Sequence, residues 1–370
     1  MKRVLCVWLF LVVFPLSSNV ARAAEKKERP PVDIRELLLG HLKDSYSWHF
    51  FTMGEKEIAL PLPIIVRSKE RGWFVFSSAR LHEEEGYKGF TLSTEEKTAG
   101  KVVETNSMGE TVRPFDISIT KNVVALFFSC LLLMVIVLSL SRWYTKQEKE
   151  GNHNAVPGGI KGALEWFIMS VHDGVVKSCV GKDYQRYSPY LLTLFFFIFL
   201  NNILGLIPIF PAGANLTGNI AVTMGLALCT MVAINVFGNK EYWKEILWPD
   251  VPIFMKAPIP IMQVIELFGI ITKPMALMIR LFANIFAGHI IILALTSLVF
   301  LTVAMGPAIN ASMSVVSVLF SALMLVLELL VAYIQAYVFT MLSAIFIGLS
   351  RKEPIPVKKP ELPIENRLKK

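Results

Sequence analysis

The sequence predicts an all-α polytopic membrane protein, and three observations support that prediction. Hydrophobic residues make up 54% of the 370 residues, whereas charged residues make up only 18%. The apolar residues come in long blocks, as membrane spans require, rather than at scattered positions. The large polar segments lie before residue 117 and after residue 350. We therefore expect five membrane crossings, including two long tilted helices, plus an interfacial amphipathic helix and a small exported α+β N-terminal region.

Residues 1–24 have the layout of a secretory signal peptide. Lys2 and Arg3 precede an apolar run over residues 4–16, and the small-residue sequence Ala-Arg-Ala-Ala follows at 21–24. An uncleaved first span is the alternative, but the apolar run is short for a hydrocarbon core about 30 Å thick. Cleavage would leave the mature N-terminus outside the cytoplasm.

Residues 25–116 form the predicted exported region. Residues 33–49 fit a short helix, because an aspartate at their start is a favourable N-cap. Residues 57–66 and 72–77 have the composition of β-strands, and the two prolines in the first of them would restrict it to a sheet edge. The region carries no recognisable catalytic motif.

Residues 117–350 form the predicted transmembrane domain. Its first span ends at Arg142 and Trp143, an aromatic and basic flank typical of a cytoplasmic end. Residues 160–180 carry apolar side chains at helical spacing and polar ones between them, as in a helix at the membrane interface. Two further spans lead to two helices longer than the roughly 20 residues that cross a bilayer upright, the first of them interrupted by Pro274. The predicted spans are residues 122–140, 189–210, 220–237, 258–305 and 311–349.

The net charge of +8 comes from Lys and Arg beside the apolar blocks and in the C-terminal residues 351–370. This distribution follows the positive-inside bias, so we expect the tail to be cytoplasmic and the N-terminus to be external. A basic stripe with interleaved aromatic residues, which nucleic-acid binding would need, does not occur.

Ionisable and amide side chains occur within both long helices. A charged group at membrane depth costs several kcal/mol unless it is paired or hydrated, so such groups indicate a pathway. Arg280 and Asn284 are one helical turn apart. Glu266, Lys273 and Arg280 follow one another at intervals of seven residues, and so do Glu328 and Gln335, so each set forms a stripe that drifts slowly around its helix. The first helix carries Glu266, Lys273, Arg280, Asn284 and His289, and the second carries Glu328 and Gln335.

Arg280 is the most informative of these residues. A guanidinium stays protonated at any physiological pH, so it cannot relay a proton by titrating, but it can hold a fixed positive charge and attract a carboxylate. The alternative is that the side chain snorkels to an interface. Its position between Ile271 and Leu298, deep in an apolar block, argues against snorkelling.

His289 and Glu328 both titrate, and together they would form a proton-accepting pair across the two long helices. The alternative is that His289 is a packing residue, which is the more common fate of a lone buried histidine. Asn201, Asn202 and Asn219 fit either interhelical hydrogen bonding or the wall of a water path, and both interpretations stay open.

Several classes of activity lack their motifs. The sequence has no Walker A, HExxH or Gly-x-Ser-x-Gly motif, and its four cysteines show no metal-binding spacing. We therefore expect no cofactor, no metal and no nucleotide site, and a non-catalytic, ion-translocating role. A proton-coupled secondary transporter would show an internal repeat, which is not evident, and a membrane-embedded enzyme would need a nucleophile or metal set.

Three segments carry a family resemblance. Residues 273–289 (KPMALMIRLFANIFAGH) closely resemble the signature of ATP synthase subunit a. Residues 333–339 (YIQAYVF) and 201–208 (NNILGLIP) resemble two further segments of that family. The resemblance covers about residues 120–350, and the Arg-Leu-Phe-x-Asn core is highly specific in this topological setting.

The resemblance implies a stator subunit of a rotary F-type ATP synthase in a bacterial inner membrane. Its expected partners are a ring of c subunits, b-type peripheral stalk subunits, the rest of the complex and the lipid bilayer. The implied mechanism has two aqueous proton half-channels against the c-ring. The exported region is longer than in better-known members of the family, and the signal peptide is unusual among them.

The resemblance also implies a role for each site residue. Arg280 matches the essential arginine that separates the half-channels, and Asn284 and Gln335 match polar side chains near it. His289 and Glu328 match the outer half-channel pair, with the acid and the imidazole exchanged relative to many bacterial members, as in mitochondrial ones. Glu266 matches an acid of the cytoplasmic half-channel.

Overall fold

A computed structural model provides the structure of the chain. The predicted signal peptide, most of the predicted helix at 33–49 and all of the C-terminal tail after residue 351 lie outside the described residues. The structure describes residues 44–53, 56–81, 86–93, 100–105, 111–152, 156–207, 213–248 and 261–351.

The described residues of the N-terminal region form eight short strands in three antiparallel sheets. The sheets have the strand orders β1-β2, β4-β3-β8 and β5-β6-β7. Side chains from the last two sheets share one apolar core, in which Ile64, Val66 and Phe90 are fully buried. The strands are β1 (Ser47–Met53), β2 (Lys56–Pro61), β3 (Pro63–Ser68), β4 (Gly72–Ser77), β5 (Phe90–Leu92), β6 (Val102–Thr105), β7 (Thr111–Val112) and β8 (Phe115–Asp116).

Two predictions for this region are wrong in detail. The predicted strand over 57–66 is two strands, because the chain changes partners between Pro61 and Pro63: β2 pairs with β1, whereas β3 pairs with β4 and β8. β3 is therefore a central strand, and its proline is tolerated because it is the first residue of the strand. The last residues of the predicted helix at 33–49 belong to β1, which begins at Ser47.

The strand region is joined directly to the first long helix, α1. The backbone N–H of Lys121 donates to the carbonyl oxygen of Ser45 at 2.9 Å, and that of Asn122 donates to Oδ1 of Asp44 at 3.1 Å. These contacts satisfy N–H groups that a helix start leaves without intrahelical partners. The buried Trp48 packs against Ala125 of the same helix.

Seven α-helices longer than one turn follow the strands in the part of the chain that the structure describes. Within the described residues, four helical segments are long and apolar enough to cross a membrane, or up to five if the bent α4–α5 pair counts as one span. The α2-to-α3 stretch, residues 159–206, is one of these segments. The helices are α1 (Lys121–Lys149), α2 (Gly159–Val171), α3 (Tyr184–Leu206), α4 (Ile220–Asn235), α5 (Lys240–Leu247), α6 (Ile261–Leu301) and α7 (Pro307–Ser350).

Two helix boundaries correct the sequence prediction. α1 continues to Lys149, nine residues beyond the predicted end of the first span at residue 140. Its last turns are rich in Lys, Glu and Gln, which favour helices in water without packing. α6 is continuous through Pro274 rather than interrupted there. Membrane helices tolerate internal prolines because neighbouring elements and local adjustments compensate for the missing hydrogen bond.

The amphipathic stretch predicted at 160–180 forms α2, a π-helical segment (His172–Lys177) and a short helical turn (Ser178–Val180). Its buried valines join the main helical core, which also contains residues of α3, α4, α6 and α7. The stretch is therefore packed against the bundle through its apolar face. A 3-10 turn (Gly181–Asp183) leads from it into α3.

Candidate functional site

α6 and α7 form an antiparallel hairpin that carries all six predicted site residues. The turn between them is a 3-10 segment (Thr302–Met305) followed by Gly306, whose φ of 106° favours glycine. Near the turn, the hydroxyl of Ser317 donates to the carbonyl oxygen of Leu295 at 2.5 Å. This contact helps to set the register between the two helices, and with it the level at which residues of α6 meet residues of α7.

His289 and Glu328 meet across this hairpin. Nδ1 of His289 lies 2.7 Å from Oε1 of Glu328 and 3.1 Å from the carbonyl oxygen of Ile285, and Nε2 lies 3.4 Å from the carbonyl oxygen of Gly205 in α3. The pair is therefore held by three helices. Glu328 is only 4% exposed, and among the described residues neither of its carboxylate oxygens makes a hydrogen bond, so the approach of Nδ1 of His289 is a short contact rather than an aligned hydrogen bond.

The surroundings of the imidazole restrict its chemistry. Both ring nitrogens of His289 face oxygen acceptors, so an imidazolium has an acceptor for each of its two N–H groups: the carbonyl of Gly205 for Nε2, and either Glu328 or the carbonyl of Ile285 for Nδ1. A neutral ring has one N–H and leaves one nitrogen facing a carbonyl or carboxylate oxygen. The arrangement can accept a proton on the ring and pass one across 2.7 Å to the carboxylate.

Gly288 makes room for the carboxylate, and sequence reasoning missed it. A Cβ atom at this position would lie 2.8 Å from Oε1 and 3.0 Å from Cδ of Glu328, closer than real Cβ contacts. The glycine directly precedes His289 in the sequence, and that adjacency is the only signal that could have drawn attention to it.

The three asparagines have different roles. Asn202 is an interhelical hydrogen bonder: its Nδ2 donates to the carbonyl oxygen of Ala332 in α7 at 3.2 Å, and its Oδ1 accepts from the hydroxyl of Thr217 at 2.7 Å. Asn201 donates to the carbonyl oxygen of Phe197 in its own helix and, among the described residues, to no other group. Asn219 caps α4 by accepting from the backbone N–H of Ala221. Thr217 was missed by the sequence prediction.

Arg280 has opposite surroundings to the histidine pair. It is exposed on α6, and no hydrogen bond or ion pair joins its guanidinium to any residue that the structure describes. Asn284, one turn further along, is exposed on the same side. The exposed residues around them include the small Ala276, Ala283 and Ala287. This face of α6 thus presents a cation among small side chains.

The other two predicted residues are Gln335 and Glu266. Gln335 is buried in α7, at 7% exposure. Glu266 lies 14 positions before Arg280, about 21 Å along α6 at the usual helical rise. Nζ of Lys273 and Oε2 of Glu266 both come close to the position that a Cβ of Gly269 would take, at 3.8 Å and 4.0 Å. Only His289 and Glu328 are brought into direct contact.

Comparisons with known proteins relate two parts of the chain to families. A family model described as ATP synthase A chain matches residues 126–348, and one described as a domain of unknown function matches residues 37–121. The chain is 42% identical over 254 residues to ATP synthase subunit a of Chlorobium phaeobacteroides (strain DSM 266 / SMG 266 / 2430), covering 65% of this chain and 69% of the relative. It is 42% identical over 243 residues to ATP synthase subunit a of Myxococcus xanthus (strain DK1622), covering 64% and 73%.

Proposed function

The chain belongs to the ATP synthase A chain family, and on that premise we propose that it forms the stationary wall of two proton half-channels against a ring of c subunits. Membership of the family makes the chain a membrane protein of the Fo sector that takes part in proton translocation within an ATP synthase complex. The finer proposal concerns which residues conduct and which residue separates the two paths.

The single observation that carries the proposal is the unpartnered Arg280. A guanidinium at membrane depth is costly, by about 2.5–3.5 kcal/mol on insertion scales, unless it is paired or hydrated. Arg280 has no anionic partner among the described residues of its own chain. A carboxylate supplied by a passing c subunit would pair with it, and the neighbouring Ala283 and Ala287 would allow a helix of that ring to approach closely.

Arg280 would act as a barrier rather than as a carrier. Its charge is fixed, so it repels protons and favours the deprotonated state of any carboxylate beside it. A ring carboxylate that reaches Arg280 would release its proton to one path before passing, and would take up another proton from the second path after leaving. Asn284, one turn away on the same face, would hydrogen-bond the carboxylate during the passage.

The outer half-channel is proposed to pass through His289 and Glu328. The pair lies nine residues from Arg280, about 13 Å along α6. Its 2.7 Å contact and the acceptors around the imidazole suit proton transfer between the two groups. Gln335 of α7 would lie on the route from this pair towards the arginine.

The inner half-channel is proposed to begin at Glu266, on the other side of Arg280. This acid and Lys273 flank Gly269 near one end of α6, whereas the histidine pair lies towards the other. A path through Glu266 is thus separated from the outer path by the length of helix that carries the fixed charge. The order of groups along one helix supports two paths that do not merge.

The remaining parts of the proposal concern placement and assembly. We propose a cleaved signal peptide at 1–24, an exported region at 25–116, a transmembrane proton-channel domain at 117–350 and a cytoplasmic tail at 351–370. The membrane would be the bacterial inner membrane, with the mature N-terminus outside. The proposed partners are the c-ring, b-type peripheral stalk subunits and the remainder of the complex, with no cofactor or metal bound by this chain.

The test is ATP-driven proton pumping by the complete complex in inverted membrane vesicles, measured as the fluorescence quenching of a pH-sensitive dye. Arg280→Ala should abolish pumping while the amount of assembled complex, measured on native gels, is unchanged. Arg186→Ala is the matched control, because it removes an exposed arginine from the first turn of α3, 19 residues before the Gly205 that contacts His289. Normal pumping by the Arg280→Ala complex would refute the proposal.

A further inference from the structure

A groove of about 640 Å³ lies along the C-terminal part of α1, away from the residues of the proposed proton path. Its wall is formed by one face of α1 and by one residue from the first turn of α2. The lining residues are Val135, Leu138, Ser139, Arg142, Trp143, Lys146 and Lys161.

The chemistry of the groove changes in order along α1. The lining positions recur every three or four residues, so they form one face of the helix. Val135 and Leu138 come first, a hydroxyl follows at Ser139, and the cations Arg142 and Lys146 complete the face. From the first of these residues to Arg142 the helix rises by about 10 Å. A phospholipid has the same order: acyl chain, ester region, then phosphate.

The apolar end of the groove belongs to a helix that is a membrane-span candidate and is covered little by the rest of the chain. Val135 is 55% exposed and Leu138 is 45% exposed. In a bilayer these side chains would meet acyl chains rather than water. Trp143, at the level of the cations, is the residue type that is enriched at the boundary between hydrocarbon and headgroups.

The polar end of the groove carries positive charge that the chain itself does little to neutralise. None of the lining residues is acidic. Lys146 pairs with Glu150 at 3.7 Å, but both side chains are more than half exposed, so the pair contributes little. Within the described residues, no ion pair engages Arg142 or Lys161. Glu165, one turn further along α2, lies beside the hydroxyl of Tyr144 and is not part of the lining.

We propose that this groove holds an anionic phospholipid, with one acyl chain along Val135 and Leu138 and the phosphate between Arg142, Lys146 and Lys161. Basic pockets beside membrane helices are the recognised kind of site for acidic headgroups. Because the phosphate would contact cations from both α1 and α2, the lipid would also tie together two helices that are separated in sequence by the segment 150–158.

The experiment uses the complete complex, extracted in mild detergent and titrated with phosphatidylglycerol or phosphatidylcholine, with bound lipid counted by native mass spectrometry. The double variant Arg142→Gln/Lys161→Gln should bind phosphatidylglycerol about 30-fold more weakly, as expected for the loss of two basic residues beside an anionic headgroup. Its binding of phosphatidylcholine should not change. Lys240→Gln/Lys244→Gln, which removes two exposed lysines of α5, is the matched control and should behave as the wild type.

A second variant guards against misfolding of the first. Ser139→Asp removes no cation but places a carboxylate between the acyl and phosphate levels, and it should weaken phosphatidylglycerol binding selectively. Four results would overturn the proposal: equal losses in the α5 control, equal binding of the two lipids by the wild type, displacement of the lipid by millimolar inorganic phosphate, or loss of another subunit from the double variant with its lipid binding intact. The last result would identify a protein-docking surface instead.

Discussion

Arg280 and His289 lie on the same helix, nine residues apart, and their surroundings differ in every respect that matters for charge. The histidine is held by α3, α6 and α7, and its carboxylate partner is 4% exposed. The arginine is exposed and has no partner among the described residues. Among the described residues, the histidine therefore has a charged partner within the chain, whereas the arginine has none.

This difference teaches where each group does its work. Under the proposed function, an acid–base pair with a 2.7 Å contact is arranged before any partner arrives, so its contribution to proton transfer would depend on packing inside the chain. An exposed cation with no partner among the described residues would instead act when a c subunit meets it. Substitutions should therefore separate the two: changes at Arg280 should act on coupling to the partner, and changes around His289 should act on the rate of proton passage.

The loss of proton pumping in Arg280→Ala is the largest effect that we expect, and the effect of Glu328→Gln on proton transport should be the second largest. The amide cannot take up or release a proton, but the fixed barrier at Arg280 remains, so passage should slow rather than become uncoupled. We expect passive proton conductance, measured in vesicles from which the water-soluble sector of the complex has been removed, to fall by about 100-fold. This is the low end of the range for a lost acid–base group. The His289→Ala substitution should also lower the passive proton conductance.

The control for this prediction is Glu245→Gln, which makes the same chemical change at an exposed position of α5. Its conductance should match that of the wild type. Conductance that is unchanged in both Glu328→Gln and His289→Ala would show that the outer path does not use this pair, even if Arg280 behaves as expected.

Gly288→Ala should sharpen the comparison by disturbing geometry without removing either titratable group. The new Cβ would lie 2.8 Å from Oε1 of Glu328, so the carboxylate must leave its present position beside the imidazole. We expect conductance to fall by up to about tenfold, because a misplaced group keeps only part of its effect. Gly225→Ala in α4 is the control, since a Cβ there meets nothing within 4 Å. An equal fall in both variants would point to helix propensity rather than to the carboxylate.

The smallest effect should come from the scaffold around the pair. Asn202→Leu removes the hydrogen bond to the carbonyl oxygen of Ala332 and leaves the buried hydroxyl of Thr217 without its acceptor. We expect the unfolding free energy of the full chain, measured by SDS titration in bicelles, to fall by about 1 kcal/mol. Asn201→Leu should cost less, because Asn201 bonds only within its own helix. The reverse order would contradict the assigned roles.

The strand region illustrates how far the sequence could be followed. The strand predicted at 72–77 coincides with β4, because its aromatic and β-branched run ends at clear breaks. The stretch 57–66 was harder, since strand composition does not reveal a change of pairing partner at Leu62. The end of α1 was placed too early because the span was taken to end where the apolar residues end, although exposed helical turns are polar.

In the candidate site too, some features could be predicted from the sequence and others could not. Spacing alone placed Arg280 and Asn284 on one face of one helix, and both are exposed there. Thr217 and Gly288 could not be found in this way. Thr217 acts through Asn202, 15 residues before it, and Gly288 acts through the space it leaves for a side chain of another helix.

By itself, the sequence determined the class of the protein, the approximate positions of its membrane helices and the residues whose charge is out of place in a bilayer. These follow from composition and from helical period, which are local properties. Only the tertiary structure decided which of those charges are satisfied within the chain. His289 meets a carbonyl oxygen 84 residues away in sequence and a carboxylate on another helix, whereas Arg280 meets neither kind of group among the described residues. Such contacts depend on how helices pack and in which register, and no local pattern encodes that.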